Sequence, residues 1–167
     1  MEAIKHIEKM REYLNYLEEH INNVEWAWNE LKDKCKHMRF IYDDYVYWEI
    51  DGLIKKHDLS KFSKEEFTQY CEKFFPVAGT EDHEFEFEGA WNHHKICNPH
   101  HWETWTAHKT DNPYYAEIHC VCMIIDWMAM GRKFGDTAKE YYEKNSERII
   151  LPEWTVKFIN EIFDCVY

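Results

Sequence analysis

Ile4, Ile7, Met10, Leu14, Leu17, Ile21, Val24, Trp28, Leu31, Cys35 and Met38 recur at alternating three- and four-residue steps. That is the repeat of one face of an α-helix. Neither Gly nor Pro interrupts the stretch. The spacing therefore predicts one long helix, or two nearly collinear ones, over residues 3–37.

The same logic organises the rest of the chain. Asp43 and Asp44 can open a second helix with Tyr45, Trp48, Leu53 and Ile54 inward, ending near His57-Asp58. Ser63-Lys64-Glu65-Glu66 has the form of a capping box, in which Ser63 accepts from the third amide and Glu66 reaches back. The helix it opens carries Phe67, Tyr70 and Phe74 and stops before Pro76. Residues 77–84 read as a loop, 85–94 as a short amphipathic helix, and 97–113, with two Asn-Pro steps, as an irregular loop. Residues 115–130 are apolar all round, which predicts a buried helix stopped by Gly131. Residues 137–143 and 152–163 complete the set, with Pro152 suited to a first turn. No strand pattern and no internal repeat is present. The expected architecture is an all-α, single-domain helical bundle over 1–167, with a long N-terminal helix.

Composition agrees with this and narrows the partners. The chain has 167 residues, 45% hydrophobic and 17% aromatic, enough for a packed core, and its 5 Gly and 4 Pro are too few for a turn-rich β fold. A net charge of −12 without a basic run argues against polymeric nucleic acid, which needs a positive face. The 6 Cys form no C-x-x-C pair. No signal segment and no membrane-spanning run is evident, so the expectation is a cytoplasmic protein with free thiols and no membrane partner. The long first helix could pack within the chain or against a second copy, as in a homodimer.

Histidine and carboxylate carry the candidate chemistry. His57-Asp58-Leu59-Ser60-Lys61, His93-His94 and His100-His101 put five imidazoles and a carboxylate within 45 residues. These are the donors of a divalent transition-metal site. Adjacent histidines on a helix point about 100° apart, so at most one of each pair faces a given centre. Upstream, His20 borders the apolar stripe through Leu17 and Val24, whereas His37 has Asp33 and Lys34 at equivalent offsets; His20 is the preferred ligand. Asp126 lies in an apolar helix where a carboxylate needs a cationic partner. His119, seven residues earlier, could orient a ligand or line the same pocket. Trp127 reads as core, while Trp102 and Trp105, in the expected loop, could wall a flat ligand.

In chain order, His20, then His57-Asp58, then a histidine-rich segment, then Asp126 resembles the HD-domain superfamily. Its all-helical members are mostly metal-dependent phosphohydrolases. His20-Ile21-Asn22-Asn23-Val24 resembles its first motif, His57-Asp58-Leu59-Ser60-Lys61 its His-Asp-apolar-small-Lys signature, and Asp126 its closing Asp. The chain is also similar, in 57–62, 91–102 and 126–137, to a group of short bacterial and phage proteins with no established activity. The pairs at 93–94 and 100–101 are closer than in the two-metal members, which leaves open which of these four would ligate.

The resemblance implies a phosphohydrolase acting on a small phosphorylated substrate through one or two divalent ions (Mn, Fe, Co, Ni or Zn). His20, His57, Asp58 and Asp126 would hold one ion. Asp58 would bridge to a second, held by His93 or His94 and by His100 or His101. The metal would activate water, with Asp58 and Lys61 as the catalytic pair and Lys61 offsetting phosphoryl charge. A diiron oxygenase of the same superfamily is one alternative. A non-catalytic protein that binds a ligand or partner is the other.

Overall fold

The computed structural model describes residues 2–79, 84–107 and 113–167. Among them the regular structure is helical, without a strand. The helices are α1 (Glu2–Lys34), α2 (Arg39–Tyr42), α3 (Asp44–Ile54), α4 (Phe67–Phe74), α5 (Glu84–Cys97), α6 (Trp102–Ala107), α7 (Pro113–Phe134), α8 (Ala138–Asn145) and α9 (Glu153–Val166), with a 3₁₀ turn at Leu59–Phe62. None of the described helices is long and apolar enough to cross a membrane. The chain divides into two compact units, Met1–Ile21 with Asp58–Asn98, and Asn22–His57 with Pro99–Tyr167.

The first unit is built on the N-terminal part of α1, with α4, α5 and the 3₁₀ turn. Its core is Tyr13, Leu17, Tyr70, Cys71 and Ala90, rimmed by Phe67, Phe75, Phe87 and Trp91. Here the predicted stripe is displaced. Ile4, Ile7, Met10, Leu14 and Ile21 are each 36–47% exposed, while Tyr13, Leu17 and His20 are buried. The buried line steps from Tyr13 to Leu17 to His20, one residue or about 100° away from Leu14 and Ile21. Two polar-tipped residues hold the inner face, so a reading by apolarity alone selects the neighbouring one.

The second unit has the larger core. Trp28, Leu31, Phe40, Ile50, Ile159 and Phe163 pack with α7, whose positions Cys120–Ile125 are all buried, as its all-round apolarity predicts. Asp43 caps α3, accepting from the amides of Tyr45 and Val46 at 3.1 and 3.3 Å, a contribution of about 1 kcal/mol. The inward residues of α3 are Val46, Ile50 and Ile54, whereas Tyr45 and Trp48 are more than 60% exposed, contrary to expectation. Tyr45 instead meets the Tyr114 ring, 5.4 Å between centroids. The polar Asp51 turns in with them: its Oδ1 accepts from Trp28 Nε1 at 3.1 Å, and Lys55 pairs with its Oδ2 at 2.7 Å.

Three further expectations are corrected. Gly131 does not stop α7, which runs to Phe134. The stop is Gly135 at φ +83°, whose amide donates to the Gly131 carbonyl at 2.8 Å. Gly131 is needed for another reason: a Cβ there would lie 2.6 Å from the Asp136 carbonyl oxygen. The region read as an irregular loop contains α6, and Trp105 of that helix is 3% exposed core rather than a ligand wall, with the half-buried Trp102 packed against that core. The Ser63 capping box does not form; α4 starts at Phe67 and Glu66 makes no cap bond. A capping box does close at Thr137 and Glu140, at the start of α8. Of the predicted loops, residues 80–83 and 108–112 lie outside the described residues.

Candidate functional site

In the first unit, His20, Asp58, Lys61, Glu66 and His94 form one buried group, none more than 8% exposed. Asp58 is its centre. Past α3 the chain turns tightly, and Asp58 takes a left-handed conformation, φ 57° and ψ 16°, the one non-glycine residue among those described with positive φ. Asp tolerates this backbone better than most residues, and such strain concentrates at functional sites. The carbonyl of Asp58 then accepts from the Lys61 amide at 2.9 Å, which starts the 3₁₀ turn.

The carboxylate faces three nitrogens. Oδ2 lies 2.7 Å from Lys61 Nζ and 3.3 Å from His20 Nε2, and Oδ1 lies 3.4 Å from His94 Nε2. The lysine contact is an ordinary charge-assisted hydrogen bond. The imidazole distances are longer than hydrogen bonds prefer. They match the roughly 3.0–3.5 Å between two donors that each sit about 2.0–2.2 Å from one cation. Lys61 also lies over the Tyr70 ring, 5.3 Å from its centroid.

Glu66 completes the group from the far side of the histidines. Its Oε2 is 2.8 Å from His94 Nδ1, and its Oε1 is 2.6 Å from His93 Nδ1. Burial pushes this carboxyl up, but hydrogen bonds with His94, His93 and Ser60 outweigh burial and hold it below the usual range. Adjacent His93 and His94 diverge as their helical positions require: His94 is buried against Asp58, and His93 is 35% exposed beside Cys97. Asn98 lies 3.0 Å from His94 Nδ1 and donates to Ser60 Oγ at 2.7 Å. Burial, with Asp58 and Glu66 adding to it, lifts the phenols of Tyr13 and Tyr70 well above their ordinary range. Their buried hydroxyls have no hydrogen-bond partner among the described residues.

The second unit gathers the other predicted residues. His57 Nε2 lies 3.4 Å from Asp126 Oδ1, long for a hydrogen bond and close enough for an ion pair or for two ligands of one cation. The His100 ring stacks on His57 at 4.2 Å, and His101 follows at 4.3 Å from His100. His57 and His100 are buried, while Asp126 and His101 are half-buried. His119 rests against Tyr115, and burial lowers its pKa. His37 is exposed, with Cys165 Sγ 3.7 Å from its Nε2, so it stands on the solvated side as expected. Trp127 is core and stacks on Tyr142.

Glu66 is the participant that the sequence reading missed. As the fourth residue of a capping-box pattern it has a ready local explanation. The contrary signal is its position beside Phe67 and one turn before Tyr70, on the apolar side of α4.

Against known proteins, the chain matches the model of a family of unknown function (DUF5662) over residues 9–165. No curated protein and no solved structure matches it.

Proposed function

We propose that this chain, which belongs to the family of unknown function DUF5662, is a metal-dependent phosphohydrolase of the HD-domain kind, acting on a small nucleotide or another phosphoester. The observation that carries the reading is Asp58: a carboxylate 2% exposed, on a strained backbone, facing the Nε2 atoms of His20 and His94 at donor-to-donor distances. Lys61, 2.7 Å from Oδ2, meets the charge of this buried carboxylate, and the two imidazoles offer the further donors that a cation would need.

The donor chemistry fits a divalent transition ion, since every group offered is imidazole nitrogen or carboxylate oxygen. His20, Asp58 and His94 would hold one ion. His57 and Asp126, with His100 or His101, would hold another. A divalent ion supplies Lewis acidity to a phosphoryl oxygen and acidifies water toward neutral pH. The protein's own part is positional. Glu66 fixes Nδ1 of His94 and so presents Nε2. Lys61 keeps an ammonium beside Asp58, placed to offset charge on a phosphoryl group. The hydroxyls of Tyr13 and Tyr70 are buried donors for a phosphoryl oxygen or its water. In the reaction water oxygen bonds to phosphorus, the ester P–O bond breaks, and the leaving oxygen takes a proton. A net charge of −12 suits a small substrate better than a polymer. Six free cysteines suit a reducing, cytoplasmic setting, which we include in the proposal.

The test is metal analysis of the purified protein, followed by a screen of nucleotides and simple phosphoesters with manganese, iron, cobalt, nickel and zinc. Metal-dependent turnover that falls at least a hundredfold in Asp58→Asn supports the reading. Equal turnover in Asp58→Asn overturns it. An iron-dependent optical signal without phosphoester turnover overturns it in favour of oxygen chemistry.

A further inference from the structure

A second donor group lies on the more exposed side of α5, built from softer chemistry than the Asp58 group. His93 and Cys97 are four residues apart on one helix and therefore share a face. Cys97 Sγ lies 3.7 Å from His93 Nε2 and 3.9 Å from Nδ1. Glu66, His93 and Cys97 each bring a ligand atom within 4.8 Å of the other two.

The distances separate the roles. Two donors of one tetrahedral zinc, with Zn–N about 2.0–2.1 Å and Zn–S about 2.3 Å, stand about 3.5 Å apart. The sulfur-to-Nε2 distance is close to that, but Sγ is also 3.9 Å from Nδ1 and so sits beside the ring; Cys97 would turn about its χ1 to share an ion with the Nε2 lone pair. The Glu66 Oε1 to His93 Nδ1 distance of 2.6 Å is too short for shared ligation and is a strong hydrogen bond. An imidazole whose Nδ1 is held by a carboxylate presents Nε2 as the ligand, the arrangement that fixes ring orientation at zinc. We propose that His93 Nε2 and Cys97 Sγ hold a thiophilic divalent ion, zinc, with Glu66 as the positioning residue for His93 and water or an added ligand in the open positions. Thiolate selects zinc or cobalt over magnesium or manganese, which distinguishes this seat from an all-N/O one.

This proposal does not rest on the phosphohydrolase reading, although Glu66 touches both histidines. The probe is cobalt(II), added to the reduced full-length protein while the near-ultraviolet thiolate-to-cobalt charge-transfer band is followed. The expected result is a band that saturates, is displaced by zinc, disappears in Cys97→Ser and weakens at least tenfold in His93→Ala. It persists in Asp58→Asn and in Cys165→Ser, the latter removing the cysteine beside His37. Zinc also protects Cys97 from alkylation by iodoacetamide, read peptide by peptide in the wild-type chain, which needs no variant to fold. A band of unchanged intensity in Cys97→Ser, absence of a band in the wild type, or Cys97 alkylation at the same rate with and without zinc overturns the site. Loss of turnover in Asp58→Asn with the cobalt band intact separates the two proposals.

Discussion

Glu66 Oε2 sits 2.8 Å from His94 Nδ1, so the opposite ring nitrogen, Nε2, is the one that meets Asp58, 3.4 Å from its Oδ1. A buried acid thus sets the face that a buried base turns to the centre. Glu66→Gln keeps the shape and removes the charge. We expect manganese or zinc affinity at the Asp58 group to fall about 10–100-fold, the usual cost of losing such a support, with little change in helicity. Calorimetric titration against wild type checks it; equal affinities would show that His94 is oriented by its packing alone.

Removal of metal tests the centre as a whole. An ion that binds only the folded chain stabilises it by about 2.7 kcal/mol when present at a hundred times its Kd. Dialysis against a chelator is expected to lower Tm, and readdition of the preferred ion to restore it. Asp58→Asn should abolish the restoration at that seat while keeping a residue that tolerates a left-handed backbone. Thermal scans of both proteins, with and without ion, report the difference.

The end of α7 gives a comparison free of metal. At Gly131 an added methyl meets the Asp136 carbonyl oxygen at 2.6 Å, whereas at Gly135 it meets nothing within 4 Å but the backbone φ is +83°. Gly131→Ala is expected to cost about 1–3 kcal/mol through overpacking. Gly135→Ala should cost about 1–2 kcal/mol through the left-handed backbone alone. Urea denaturation measures both, and a neutral Gly131→Ala would mean that the 131–136 turn gives way easily.

Asp51 predicts one feature of the acid stability. Its hydrogen bond with Lys55 lowers its pKa; burial opposes this, and the Trp28 indole adds to the lowering. The folded value therefore lies below the unfolded value of about 3.9. The associated stability is present above that pH and is lost as the pH falls through the depressed folded value. The urea midpoint should drop across this acid range, and Asp51→Asn should flatten the drop. Helical circular dichroism, or the fluorescence of the 8 tryptophans of which Trp28 is one, follows the transition.

Much of this was visible in the sequence because period and punctuation are local. α3 begins at the predicted Asp43 cap, and α7 is buried because no side of it is polar. The helical neighbours of His20 place it at the edge of the apolar stripe and those of His37 on the solvated side, and the two differ in burial accordingly. What escaped is tertiary. Whether Ser63 caps a helix or Glu66 turns to two histidines depends on α5, remote in sequence. Whether Leu14 or Tyr13 lies inward depends on what packs there, here Phe67 and Phe75 around the Tyr13 ring. The choice between His93 and His94 was open from spacing; their separate partners emerge only when Glu66, Asp58 and Cys97 are placed.

The left-handed turn at position 58 sets two demands on a single codon. Backbone geometry there welcomes glycine and asparagine, whereas a buried cation calls for an anionic oxygen. Saturation mutagenesis scored once for folding and once for ion retention should thus return different winners at this position. Where the two scores part company, architecture and chemistry are being selected separately.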